Sequence, residues 1–213
     1  MALPSKKLIT INDRGARSAT TFGSLTSGGA NMVFIKKLTA SSSGTLSFVD
    51  GTDGVVLDDT YKEYVFTFNN IHSSSENSFQ VNFRDGGSAY DAVKTSAGYR
   101  AYHFESDSGS GLGYEAALDL AQSTAFQGVG QPQSSADNDS SGSGFLHLFN
   151  PSSTVFVKHY ISHYVHHYTN AAPGEIDNYM AGYCNTTTAI DGVQFKFDSG
   201  NIDAGDICLY GIA

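Results

Sequence analysis

Tryptophan is absent from this chain, and cysteine and proline occur only two and four times in 213 residues. Without tryptophan, any sugar-binding site lacks the usual best stacking ring. With Cys184 and Cys208 alone, no disulfide framework can carry the fold. Two buried free thiols are expected, a disulfide requiring that their strands be neighbours, and neither spacing nor context suggests a metal ligand. No run of about 18 apolar residues occurs, so no membrane span is expected. No apolar core of about 7–15 residues follows Lys6 and Lys7, so no Sec-type signal peptide is read, and a cytoplasm, or release by lysis, is the expected setting.

Catalytic motifs are missing as well. There is no G-x-S-x-G nucleophile turn, since SGSGF at 141–145 lacks the strand-to-helix context, and no G-x-x-x-x-G-K phosphate loop. Glu63, Glu76, Glu105, Glu115 and Glu175 are the only glutamates. All sit in loops or on outward positions, with nothing to pair them across a cleft as glycoside hydrolysis needs. The expectation is a non-enzymatic protein without cofactor. Asp137-Asn138-Asp139-Ser140-Ser141-Gly142 begins like a calcium loop, but Leu148 stands where the bidentate glutamate belongs, so the EF-hand reading fails. A looser calcium site there, or at Asp50, Asp53, Asp58 and Asp59, stays open beside the plainer reading of solvated turns.

What the chain does have is aromatic: 14 Phe and 12 Tyr. Each ring can bury roughly 150–250 Å², which is enough for a real core. Charged residues are only 15%, below the usual ~25%, and they are unevenly placed. Residues 1–37 carry a net +5, whereas residues 38–213 carry −14. Residues 1–31 have one apolar patch (Leu8, Ile9, Ile11) amid Gly, Ser and Thr. They are read as an extended N-terminal docking arm, with Lys6, Lys7, Arg14 and Arg17 as its contacts. Nucleic acid is weighed as the arm's target, but no binding module follows and an acidic body repels a polyanion. An acidic protein partner is favoured.

From Met32 to Ala213 the pattern is a β-sandwich domain. Short runs alternate with period two, as in Tyr64/Phe66/Phe68, Phe79/Val81/Phe83 and Val193/Phe195/Phe197. About ten such strands, joined by Gly/Ser/Asn/Asp loops, point to an all-β, jelly-roll-like antiparallel sandwich. Tyr64, Phe66, Phe68, Phe79, Val81, Phe83, Phe195 and Phe197, with Phe145, are the expected core. The run 61–68 is expected to pair with 78–84 as a long-looped hairpin, and 114–126 (YEAALDLAQSTAF) is a candidate helix. The densest polar cluster lies in TVFVKHYISHYVHHY (154–168). On a strand, His159, His163 and His167 share one side and His166 the other. Successive members of the trio stand about 13 Å apart, too far for one metal ion. His159, Tyr160, His163, Tyr164, His167 and Tyr168 are read instead as an inter-subunit or inter-sheet interface, where clustered histidines could make assembly pH-sensitive.

Several blocks, including YKEYVFTFNNIH (61–72), DNDSSGSGFLHLFNPSSTVFVKHY (137–160) and AGYCNTTTAIDGVQFKFDSGNI (181–202), resemble an uncharacterised group of virion proteins of marine tailed bacteriophages. The resemblance covers most of residues 61–213 and implies a non-enzymatic β-sandwich displayed in multiple copies on a virus particle, whether on the capsid, as a head fibre or in a tail appendage; the charge division favours an outward-facing capsid decoration or head fibre. Expected partners are other virion proteins, such as major capsid or tail proteins, and further copies of the chain in a cyclic oligomer such as a trimer. The alternative is a tail-fibre module binding a host surface glycan or receptor, with Tyr90, Tyr99, Tyr114 and Tyr179 as stacking rings.

Overall fold

The computed structural model describes residues 32–132, 139–168 and 172–213, and Asn31–Ala213 forms one compact unit. The arm, with Lys6, Lys7, Arg14 and Arg17, lies outside the described residues. Among the described residues thirteen strands are formed: β1 Met32–Thr39, β2 Leu46–Val49, β3 Glu63–Ser73, β4 Phe79–Arg84, β5 Lys94–Phe104, β6 Ser110–Tyr114, β7 Leu120–Ser123, β8 Gln127–Gly128, β9 Ser141–Phe149, β10 Lys158–Tyr168, β11 Gly174–Cys184, β12 Gly192–Phe197 and β13 Ile202–Ile212. No helix occurs among the described residues.

All strand pairs are antiparallel, in two sheets. The large sheet runs β1-β13-β3-β9-β10-β11-β5-β6, with β7 also paired to β5, and the small sheet runs β2-β12-β4-β8. The chain passes repeatedly from one sheet to the other, so period-two runs from both supply the filling of a β-sandwich. Phe48, Phe66, Phe68, Phe79, Phe195 and Phe197 meet there with Tyr164, all nearly or fully buried. Phe68 packs edge-on to Phe79 at 5.2 Å and to Phe195 at 5.2 Å, while Phe79 lies 5.5 Å from Tyr164. Each such ring contributes about 1.5–3 kcal/mol through burial.

Three expectations are corrected. The runs expected to form a hairpin, β3 and β4, lie in opposite sheets: β3 is flanked by β13 and β9, β4 by β12 and β8, and their rings meet across the core rather than along a ladder. Phe145 points outward and is only half-buried, leaving Leu146 and Leu148 of β9 to face the core. The candidate helix at 114–126 is instead the end of β6, a turn, and β7. Helix propensity differences of a few tenths of a kcal/mol per residue lose there to burial of Leu118 and Gln127, whose Nε2 donates to the Leu118 carbonyl at 2.7 Å.

Gly205 is dictated by geometry. The ladder between β3 and β13 is irregular where Asn70 takes a φ of 51° and Gly205 a φ of 114°. A Cβ on Gly205 would stand 2.6 Å from the Asn70 carbonyl oxygen, so neither the backbone nor the space admits a side chain.

Candidate interaction surface

Strand β10 sorts its residues strictly. Lys158, Tyr160, Ser162, Tyr164 and His166 are buried on the inner face, whereas His159, Ile161, His163, Val165 and His167 face outward. The expected interface set therefore divides. Tyr160 and Tyr164 sit at the inter-sheet contact, with the Tyr160 hydroxyl donating to Gln127 Oε1 at 2.9 Å. Neither ring is available to an exterior partner. Tyr168 is half-buried and lines a separate hollow with Arg100, Tyr102 and Pro132. His159, His163 and His167 share the outer face, as period two requires.

Register then aligns rings from five strands. Phe145 on β9 pairs with His163, His163 with Tyr179 on β11, Tyr179 with Tyr99 on β5, and Tyr99 with Tyr114 on β6. His163 and Tyr179 stack at 4.1 Å and 14°, Tyr179 and Tyr99 at 4.9 Å and 13°, and Phe145 meets His163 edge-on at 5.6 Å. Beside this row runs a low one of Ile161, Ala181 and Ala97, and beyond it a second wall of His159 and Tyr183. Small alanines between tall rings make a groove, seen as adjoining hollows of about 660 and 470 Å³ that share Ala97, Ile161 and Ala181. Leu112, Tyr114, Tyr99 and Ile161 are 74%, 63%, 47% and 47% exposed. A contiguous apolar surface of this kind is unusual on a sheet facing water.

One end of the same face is charged. His163 pairs with Asp177, His147 with Glu63, His167 with Glu105 at 3.3 Å, and His103 with Asp107 at 3.1 Å. Glu175 lies between His167 and His103 in register. Partial burial holds its carboxyl above the ordinary range, the Asp177 charge adds to this, and His163 and His103 oppose it. The Tyr114 hydroxyl donates to Asp119 at 2.6 Å, which raises the phenol's pKa.

Among the described residues no group of three His, Cys, Asp or Glu side chains is placed to hold a metal ion. Asp137 and Asn138 of the loop weighed for calcium lie outside the described residues. Asp50 Oδ1 accepts the Leu57 N–H and Asp58 Oδ1 the Thr60 N–H, both at 2.8 Å, so these two carboxylates close turns. Cys184 and Cys208 are free thiols, Cys184 buried and Cys208 half-buried. Of the candidate stacking tyrosines, Tyr99, Tyr114 and Tyr179 come together, but Tyr90 rests against Gly192 of the small sheet. Sequence reasoning missed Ile161, Leu112, Ala97 and Ala181. The available signal was that β10 carries apolar or aromatic residues at both parities, the mark of a strand covered on both faces.

Compared with protein-family models, with curated proteins and with solved structures, the chain matches none.

Proposed function

We propose that this chain is a non-enzymatic structural protein of a bacteriophage particle, of the capsid-decoration or head-fibre type. Its basic N-terminal arm attaches it to other virion proteins, and the outer face of its large sheet packs against a further copy of itself. The observation that carries the reading is the stacked row Phe145–His163–Tyr179–Tyr99–Tyr114 with its alanine-floored groove. Five strands spaced ~4.8 Å apart and about nine residues long present roughly 700 Å², close to the ~800 Å² per partner of a stable interface. Rings standing upright and stacked on one another offer edges in a broad apolar strip, a shape suited to a flat protein surface. The −14 balance of residues 38–213 agrees with a body that keeps particles apart in solution.

Particles assembled with a chain lacking residues 1–31 should not retain the protein, although the sandwich still folds; normal retention would remove the arm from the proposal. Ile161→Asp in the full chain should reduce its oligomeric mass by light scattering, and an unchanged mass would remove the face.

A second reading, a glycan- or receptor-binding module of a tail appendage, is favoured by one observation: Tyr114 is well exposed, with an acid bound to its hydroxyl. Against it, both faces of Tyr179 are occupied, by His163 and by Tyr99, and so cannot stack on a sugar. Saturable signal on a glycan array, lost in Tyr114→Ala, would favour this reading over self-association.

A further inference from the structure

Lys94 opens β5 and is fully buried, an unusual place for an ammonium group. Its Nζ donates to Asn82 Oδ1 at 2.5 Å and to the Ala92 carbonyl at 2.7 Å. Among the described residues no carboxylate lies within ion-pair distance of it. A buried, unpaired charge costs several kcal/mol. Burial accordingly lowers the Lys94 pKa to about 8, against the weaker pull of Cys184, Asp91 and Asp85. Roughly one chain in ten then carries a neutral, nucleophilic amine at pH 7.

Asn82, on β4 of the opposite sheet, is also fully buried, and its carboxamide is held at both ends. Oδ1 accepts the Phe83 N–H at 2.9 Å, and Nδ2 donates to the Thr124 carbonyl at 3.0 Å. A backbone N–H on the carbonyl oxygen polarises it and steadies negative charge that develops there. Because a C=O bond adds at most about 1.23 Å, the 2.5 Å contact places Asn82 Cγ no more than ~3.7 Å from Nζ. That is close to the ~3–3.5 Å of a near-attack arrangement. Lys158, the other fully buried lysine, has no such partner: its Nζ donates to the backbone carbonyls of Thr186 and Thr188.

The geometry points to an intramolecular isopeptide bond between Lys94 Nζ and Asn82 Cγ, tying β5 of the large sheet to β4 of the small one. The neutral amine adds to Cγ, and the Nζ–Cγ bond forms as the carbonyl electron pair moves to Oδ1, facing the Phe83 N–H. One amine proton passes to Nδ2, the Cγ–Nδ2 bond breaks, and ammonia leaves. No oxidant or cofactor is needed. The product is a neutral secondary amide whose one N–H keeps the Ala92 carbonyl as acceptor and whose oxygen keeps the Phe83 N–H. The buried charge is gone.

Mass spectrometry of the full chain tests this. The folded protein should weigh about 17 Da less than its sequence, one ammonia lost. Trypsin should yield residues 63–84 joined to 85–100, uncut after Lys94, because an acylated lysine is no longer a cleavage site. Lys94→Met should restore the full mass, as should the wild-type chain kept unfolded in denaturant from synthesis onward. An unmodified mass in the folded wild-type protein, with 63–84, 85–94 and 95–100 free, overturns the proposal. So does a deficit with 63–84 still free, which would belong to another asparagine.

Discussion

Acidification should loosen this sandwich through one side chain, His166. It is buried on the inner face of the large sheet, with Nδ1 at 3.4 Å from Asn178 Nδ2 and Nε2 without a well-placed hydrogen-bond partner. Burial lowers its pKa from the ordinary 6.5 to about 4, with His167 and Arg100 adding to the effect and the Pro132 backbone opposing it. Above pH 6.5 the ring is neutral whether the chain is folded or not, and stability is full. Between 6.5 and 4 the unfolded chain takes up a proton that the folded chain refuses, so stability falls as pH falls and levels off below 4. At 1.36 kcal/mol per unit, the loss across that window is about 3 kcal/mol, a large part of the 5–15 kcal/mol typical of a domain. Urea unfolding at pH 7, 5.5 and 4 reads it, with His166→Gln as the control that cannot titrate. The wild-type curve should drop by about 3 kcal/mol more than the variant's over this range. Parallel curves would refute the argument, since every carboxylate contribution is common to both proteins.

Phe79→Ala empties the centre of the ring cluster and should cost about 3–5 kcal/mol, seen as a lower denaturation midpoint. Arg84 grips Asp191 with Nε at 2.8 Å and Nη2 at 3.1 Å, so Arg84→Met should cost about 1–3 kcal/mol in the same assay. Leu112→Ser, on the outer face, should leave the midpoint within about 0.5 kcal/mol while weakening self-association measured by sedimentation. Gly142→Ala should destabilise the fold, because its Cβ would sit 2.0 Å from the Tyr164 hydroxyl.

Much of this fold was legible because alternation is a local signal. Tyr64, Phe66 and Phe68, or Val193, Phe195 and Phe197, declare their strand and its inward face without reference to any other residue. Partnership between strands is not local, which is why β3 and β4 read as a hairpin: Phe68 and Phe79 do meet, but across the core rather than along a ladder. Phe145 misled for a related reason, since hydrophobicity alone cannot tell a core face from a sticky outer one. Half of the surface was visible in the histidines of β10. The other half came from Tyr99, Tyr179 and Tyr114, which only register brings alongside His163. The buried lysines were hidden, because a lysine is ordinarily a surface residue and nothing near Lys94 in sequence reveals the Asn82 carboxamide.

Strands β1 and β6 are the two margins of the large sheet, and their separate positions have a mechanical consequence. Seven strand spacings of ~4.8 Å put roughly 34 Å between them. Met32, where the described chain begins, is on one margin and Tyr114 on the other. A molecule held at its first strand would thus carry its ring-lined strip out at the far end, as a hinged plate presents its free edge. Were β1 the held margin, a small rotation there would become a large sweep at the strip, and neighbours anchored some distance apart would remain within reach of one another.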